Sequence, residues 1–185
     1  RLNASAVYVS NQSTFHTTDA GAIQRGIDMA PSAGTVHVDV GTYAEDLTIA
    51  KSLSLIGAQA GQDAWTRYQA FTAGKADPTV ETVLTSPVND PASGSSDMVR
   101  VLASGITIDG LVIDGNNPAL GASAQTLNGV DLHARRAITN GAADGVTFVA
   151  INDLLVQNVI VQNIAQRAVQ LYAPTSTAFT GNAIT

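Results

Sequence analysis

The chain has 185 residues, enough for one domain with a substantial core and at most for two. Its formal net charge is −6, and its nine Lys and Arg residues are scattered, which argues against nucleic-acid and anionic membrane partners because both require concentrated positive charge. There is no cysteine for a disulfide, and no apolar run approaches the ~20 residues that would predict membrane insertion.

The hydrophobic residues are mainly small or aliphatic. They make up 45% of the chain, whereas aromatic residues make up only 5%, so the core must be built from thin layers of Ala, Val, Ile and Leu. This composition is typical of solenoids, in which short structural units stack along one axis.

Residues 18–30 form the one segment with clear helical periodicity. Thr18 or Asp19 can cap its start, and Pro31 ends it. The apolar residues that share one face are Ala20, Ile23, Ile27 and Ala30. We predict an amphipathic helix at about residues 19–30 that covers the first coil of strands.

From residue 34 onward the hydrophobic period changes to two, which predicts short β-strands. Val36, Val38 and Val40 alternate with His37 and Asp39, and the alternation continues to residue 57. His37 and Asp39 share an outward face, as a His–carboxylate couple or metal site would require. Two ligands do not make a site, so we interpret them as a surface pair.

Residues 58–79 interrupt the strand pattern and predict an insertion that projects from the coils. Trp65 and Tyr68 are candidates for stacking on sugar rings, with Arg67 between them as a further glycan-binding candidate. The alternative is that these side chains pack the insertion onto the wall of the coil.

An internal repeat is the clearest feature of the sequence. Residues 106–115 (Ile-Thr-Ile-Asp-Gly-Leu-Val-Ile-Asp-Gly) align with residues 154–163 (Leu-Leu-Val-Gln-Asn-Val-Ile-Val-Gln-Asn), and the second block aligns with residues 178–185. Matching Gly110, Asn158 and Asn182 gives offsets of 48 and 24, which predicts a coil of 24 residues with an irregular coil between the first two blocks. Gly110, Gly115 and the matching Asn residues should lie at bends that favour left-handed backbone angles.

A second insertion is predicted at about residues 116–147. It contains four polar candidates within six positions, Asp131, His133, Arg135 and Arg136. Loops of this kind commonly carry sites, although a solvated polar loop explains the same composition.

Residues 22–57 and 105–114 resemble the opening segment and the repeat coil of the pectin-lyase-like superfamily. The resemblance implies an all-β fold, a right-handed parallel β-helix (solenoid) with an N-terminal amphipathic capping helix. We expect residues 1–185 to form a single β-helix domain, part of a longer chain with further coils or domains after Thr185. The superfamily includes pectate and alginate lyases, polygalacturonases, pectin methylesterases, phage tailspikes and bacterial surface proteins, so the fold alone does not assign an activity.

Two enzyme classes of this superfamily find little support in the residues. Residues 41–45 (Gly-Thr-Tyr-Ala-Glu) resemble the Gly-x-Tyr-x-Glu segment of pectin methylesterases, and residues 167–171 resemble a later motif, but the catalytic aspartates of that family would lie beyond this chain. The alternative for residues 41–45 is a structural turn between coils. The Asp-Asp pair and Gly-His-Gly motif of polygalacturonases are absent from the sequence.

A polysaccharide lyase of this fold needs a cation or positive group to neutralise the uronate and a base to remove a proton. Asp131, His133, Arg135 and Arg136 are catalytic candidates for this chemistry. Asp109 and Asp114 are metal candidates, and a lyase could use calcium as its cation.

We therefore expect a secreted or cell-surface β-helix, a noncatalytic adhesin-like or glycan-contacting part of a larger bacterial protein. Its expected partner is a polysaccharide or a host or cell-surface glycan, and no cofactor is expected. The alternative is a polysaccharide-active enzyme, a uronate polysaccharide lyase before a pectin methylesterase. A third hypothesis is a purely structural repeat that holds other domains away from a cell surface.

Overall fold

The computed structural model describes residues 5–10, 22–87, 97–116, 134–142, 147–173 and 180–185, together with the backbone of residues 126–127 and 130–131. These ranges contain the helices α1 (Ala22–Met29) and α2 (Ala64–Gln69). In chain order the strands are β1 (Ala6–Val9), β2 (Gly34–Val38), β3 (Gly41–Ala44), β4 (Leu47–Ile49), β5 (Leu53–Ile56), β6 (Thr82–Thr85), β7 (Asp97–Val101), β8 (Ile106–Asp109), β9 (Leu111–Asp114), β10 (Thr126–Leu127), β11 (Val130–Asp131), β12 (Arg136–Thr139), β13 (Leu155–Gln157), β14 (Ile160–Gln162), β15 (Arg167–Gln170) and β16 (Ala183–Ile184). Neither helix has the length and apolar character needed to cross a lipid bilayer.

The described strands form three sheets in which every pair is parallel. The first sheet has the order β1-β2-β5-β8-β13-β16, the second β14-β9-β6-β3 and the third β15-β12-β7-β4. Strands β10 and β11 pair separately and are antiparallel. Each pass of the chain adds one strand to each sheet, as β2, β3 and β4 are followed by β5, β6 and β7. This topology is consistent with a parallel β-helix.

Aliphatic side chains stack in register between the sheets. In the first sheet Val36, Leu55, Ile108 and Val156 occupy one row across neighbouring strands, and each is at least 97% buried. Burying one such side chain contributes about 1.5–3 kcal/mol, so each row stabilises the alignment of successive passes. The intervening row carries Thr35, Ser54 and Thr107, which are only partly buried.

The repeat is present, but the predicted coil of 24 residues is wrong. Strands β8 and β13 are direct neighbours, because Asp109 pairs with Gln157, 48 positions later. The final block is also shifted, since Val156 pairs with Ile184, 28 positions later. Loops of different lengths separate the strands, so spacing along the sequence does not reveal which rows stack.

Three of the predicted bends have left-handed backbone angles. The φ angles of Gly110, Asn158 and Asn163 are 73°, 51° and 54°. Gly115 and Asn182 do not lie in this region. Gly115 is needed for a different reason, because a Cβ there would lie 2.5 Å from the backbone oxygen of Asn163.

Helix α1 packs against β1, β2 and β4, with Ile23 and Ile27 buried in the main core. It lies within the predicted range of about 19–30, and the proposed caps Thr18 and Asp19 lie outside the described residues. The amphipathic pattern of residues 22–29 therefore corresponds to a helix with one side in the core.

Side chains that follow β3 and β4 hold both ends of α1. The buried carboxylate of Glu45 accepts hydrogen bonds from the first-turn N–H groups of Ile23 (2.8 Å) and Gln24 (3.0 Å). The ammonium group of Lys51 donates to the carbonyls of Asp28 in the last turn (2.9 Å) and of Ala30, the residue after the helix (2.6 Å). An anion at the start of a helix and a cation at its end both complement the helix dipole.

Candidate functional site

The insertion between β5 and β6 lies against the outside of the second sheet. Val83, Val112 and Ile160 are register partners on that sheet and form an apolar cluster separate from the main core. Ala64, Phe71 and Ala76 of the insertion pack on this cluster. The outer face is apolar here because another layer of the chain covers it.

A buried ion pair fixes α2 to this surface. Arg67 donates from Nε to Glu81 Oε1 (3.1 Å) and from Nη2 to Glu81 Oε2 (2.6 Å), and both side chains are more than 90% buried. Its third nitrogen, Nη1, donates to the backbone oxygen of Asn158 at 2.6 Å. The guanidinium of Arg67 thus faces protein groups, and the insertion is joined to the bend between β13 and β14, 91 positions later in the chain.

On the same helix, Trp65 and Tyr68 face solvent. Their side chains are 68% and 42% exposed, and the two rings stack with centroids 6.1 Å apart and an interplanar angle of 30°. Tyr68 also contacts Phe71, whose ring centroid is 5.6 Å away. We call Trp65 and Tyr68 the aromatic platform.

The start of α2 is held by Asp63. Its carboxylate accepts hydrogen bonds from the hydroxyl of Thr66 (2.6 Å) and from the Thr66 backbone N–H (2.8 Å). These bonds lower the pKa of Asp63, because they stabilise its ionised form. Asp63 therefore defines where the helix that carries the aromatic platform begins.

The two metal candidates are engaged in side-chain ladders. Asp109 accepts hydrogen bonds from Gln157 Nε2 and Asn158 Nδ2, both at 2.8 Å. One strand further along the pass, Asp114 accepts equivalent bonds from Gln162 (2.8 Å) and Asn163 (2.7 Å). These amide donors compete with a cation for the carboxylate oxygens.

Burial of Asp109 acts to raise its pKa, but hydrogen bonds from Asn158, Gln157 and the Gly61 N–H, together with the charge of Arg67, lower it overall. Among the residues that the structure describes, no group of three or more His, Cys, Asp or Glu side chains is placed to hold a metal ion.

Arg135 and Arg136 converge on Asp97. Arg135 donates from Nε to Asp97 Oδ1 (3.0 Å) and from Nη2 to Oδ2 (2.8 Å), and Arg136 Nη1 donates to Oδ2 at 3.2 Å. The side chain of Asp97 is only 1% exposed. The hydrogen bond to Asp97 raises the pKa of Arg135, whereas burial lowers that of Arg136.

Two further arginines lie near this pair. Asp97, Arg136 and Arg167 are register partners on β7, β12 and β15, and Arg100 lies on β7 opposite Thr139 of β12. We call Arg100, Arg135, Arg136 and Arg167 the arginine cluster. An insertion was predicted at residues 116–147, but part of this range, β12, is a regular strand of the third sheet.

The other sequence candidates are separate from this cluster or lie outside the described residues. Asp131 ends β11, but its side chain and the whole of His133 fall outside the described residues. His37 stacks on Tyr8 with ring centroids 4.8 Å apart, and Asp39 accepts a hydrogen bond from the N–H of Val40. His37 and Asp39 line a cavity of about 530 Å³ at the carboxyl ends of β1, β2 and β5.

The segment that resembles pectin methylesterases has a structural role. Gly41–Ala44 is strand β3 and not a turn, and Tyr43 is 97% buried with its hydroxyl donating to the Asp39 carbonyl at 3.2 Å. Glu45 binds the start of α1, as described above. These contacts account for the Tyr and Glu of the segment without catalysis.

Sequence reasoning missed Glu81, Asp97 and Arg100, and it did not connect Arg167 with Arg135 and Arg136. Glu81 and Asp97 each come directly before or at the start of a strand, a position that local patterns treat as an exposed loop end. One signal could have shown that the insertion covers the second sheet. The apolar run at residues 111–113 indicates that both faces of β9 are buried.

Comparison with known proteins found no family model, curated protein or solved structure that matches the chain.

Proposed function

We propose that this chain is part of a secreted or surface-exposed right-handed parallel β-helix, related to the pectin-lyase-like superfamily, that binds glycans without chemically altering them. Helix α1 would serve as its cap. The observation that carries the proposal is the aromatic platform, since Trp65 and Tyr68 are exposed side by side on a helix that a buried ion pair holds against the coil.

The chemistry of the platform suits a sugar. One face of a pyranose ring presents C–H groups that pack on an aromatic face, while its hydroxyls remain free to bond with water or with the polar edges of Trp and Tyr. The contacts of the insertion with the second sheet are made by Ala64, Phe71 and Ala76, so the exposed faces of Trp65 and Tyr68 are free of that packing.

Rigidity strengthens this interpretation. Asp63 holds the start of α2, and the three protein acceptors of Arg67 hold its buried side. A surface that is already ordered loses little conformational entropy when a ligand binds.

The test uses affinity electrophoresis of the purified chain through gels containing polygalacturonate, alginate or a neutral glucan. We expect at least one polysaccharide to retard the chain, and Trp65→Ala and Tyr68→Ala to weaken that retardation by about tenfold each. Tyr172→Ala is the matched control, since Tyr172 is also exposed (55%) but lies near Phe148 in another region. The proposal would be refuted if no polysaccharide retarded the chain. It would also be refuted if the Trp65→Ala/Tyr68→Ala double variant were retarded as strongly as the unsubstituted chain.

A polysaccharide lyase is the second candidate, favoured by the two guanidinium groups that bind Asp97 and by the two others whose charges act on Arg136. Such groups can neutralise a uronate carboxylate, as lyase chemistry requires. Incubation with polygalacturonate and alginate, followed by the ultraviolet absorbance of unsaturated products, distinguishes the candidates. If the unsubstituted chain forms product and the Arg135→Ala and Arg136→Ala variants do not, the result supports a lyase and excludes a purely noncatalytic role.

A further inference from the structure

The arginine cluster concentrates positive charge in an acidic chain. The charges that act on Arg136 are one carboxylate, Asp97, and three other guanidiniums, those of Arg135, Arg167 and Arg100. Three of the nine basic residues of the chain therefore lie within electrostatic range of a fourth, Arg136, although the net charge is −6. Repulsion of Arg136 by these guanidiniums opposes folding, and Asp97 is the carboxylate that the described residues place against it.

Two of these guanidiniums have buried N–H groups without a partner. In the part of the chain that the structure describes, neither Arg136 Nε nor Arg100 Nε has a hydrogen-bond acceptor, although both atoms are shielded from solvent. The side chain of Arg136 is only 8% exposed. Buried donors are normally satisfied, and an unsatisfied one costs about 1–3 kcal/mol, more when the group is charged.

The strand register brings the groups close enough for a shared ligand. Arg136 and Arg167 are partners on adjacent strands, and neighbouring strands are about 4.8 Å apart. The side chain of Arg167 is exposed, so one edge of the cluster is open to solvent. Asp97 binds Arg135 in a bidentate manner and also orients Arg136, which leaves Nε of Arg136 available to another acceptor.

We propose that the arginine cluster binds an oxyanion, namely a carboxylate, sulfate or phosphate group of a ligand. Such a group presents several acceptor oxygens to planar guanidiniums, which bind oxyanions through paired, charge-assisted hydrogen bonds. It supplies both the acceptors and the negative charge that Asp97 alone does not provide. The site lies on the third sheet, whereas the aromatic platform lies on α2 against the second sheet. The anion-binding proposal therefore does not depend on the proposed glycan binding.

The test follows the arginine Nε–H resonances of ¹⁵N-labelled chain by NMR during titration with sodium sulfate, sodium phosphate or sodium acetate. Sodium chloride keeps the ionic strength constant. Sulfate stabilises most proteins by exclusion from their surfaces, so a residue-specific readout is needed. We expect a saturable shift of the Arg136 and Arg100 resonances with at least one of the three anions.

Arg167→Gln removes an exposed member of the cluster and should leave the fold intact, while weakening anion binding by about tenfold. Lys75→Gln is the matched control, because it removes one positive charge from an exposed position of the insertion and should leave the affinity unchanged. Saturation by acetate alone would assign a carboxylate ligand, and saturation by sulfate or phosphate alone a tetrahedral one. Linear, unsaturated shifts with all three anions, or equal weakening in both variants, would overturn the proposal.

Discussion

Glu45 Oε1 accepts a hydrogen bond from the backbone N–H of Ile23 at 2.8 Å, across 22 positions of sequence. The same carboxylate binds the N–H of Gln24, and the amide of Gln24 pairs with both the N–H and the carbonyl of Thr48 on β4. Strand β4 lies at the edge of the third sheet, so a helix side chain satisfies backbone groups that an edge would otherwise leave open.

Removing the Glu45 carboxylate should loosen α1. We expect Glu45→Ala to lower the free energy of unfolding by about 2 kcal/mol, because two first-turn N–H groups lose a charged acceptor. Urea unfolding followed by circular dichroism measures the change. Asp28→Ala, which removes an exposed carboxylate from the same helix, should cost less than about 0.5 kcal/mol. Equal losses in the two variants would contradict the anchoring role of Glu45.

The Arg67–Glu81 pair should show strong coupling. Arg67→Met leaves a buried carboxylate uncompensated, so we expect a loss of about 3–5 kcal/mol, with a similar loss for Glu81→Leu. The double variant should lose much less than the sum, since neither charge is then left alone. Trp65 is the only tryptophan, so its fluorescence reports directly on the insertion during unfolding. Strictly additive losses would show that the two groups are not coupled.

Gly110 and Gly61 form a matched pair for separating backbone strain from close packing. Their φ angles are 73° and 75°, but a Cβ at Gly110 would overlap backbone atoms of Gln59 and Ala60, whereas one at Gly61 meets open space. We expect Gly61→Ala to cost about 1–2 kcal/mol from the left-handed angle alone. Gly110→Ala should cost several kcal/mol more or prevent folding, measured by thermal and urea unfolding. Similar costs at both positions would argue against the close approach of residues 59–60 to Gly110, at the bend between β8 and β9.

Asp109 should make the fold sensitive to acid. Its pKa is lowered in the folded state, so its ionised form contributes stability above the unfolded pKa, and this contribution is lost as the pH falls through the lower folded value. We expect the urea midpoint of the wild-type chain to fall between about pH 5 and pH 2. Asp109→Asn should flatten part of this dependence. An identical pH profile in Asp109→Asn and the wild type would exclude this role.

Much of the strand architecture was predictable because its signals are local. The alternation of Val36 and Val38 with polar residues, and the match between residues 106–115 and 154–163, both follow from strand geometry and burial. The period was not predictable, since the residues between Asp109 and Gln157 include β9 and β12, which belong to the other two parallel sheets, and the separate pair β10 and β11. Repetition in the sequence identifies similar strands, but it does not count the residues in each pass.

The candidate site was predictable only in part. Trp65 and Tyr68 stood out because large aromatic residues are rare in this chain, and the structure exposes both side chains. Arg67 lies between them in sequence but on the buried side of α2, paired with a residue 14 positions away. Arg135 and Arg136 were noted as neighbours, whereas Asp97, Arg100 and Arg167 join them only through strand pairing.

By itself, the sequence determined the elements of this protein: short alternating strands, one amphipathic helix, glycine and asparagine at the bends, and an aromatic insertion. These depend on the faces and backbone angles of residues within a few positions of one another. Only the tertiary structure decided which charges are buried in pairs, which guanidiniums gather around one carboxylate, and which aromatic rings remain in solvent. Those outcomes depend on the register between strands that are tens of residues apart in the chain. Packing of the aliphatic rows selects this register, and the register in turn fixes which polar groups become neighbours.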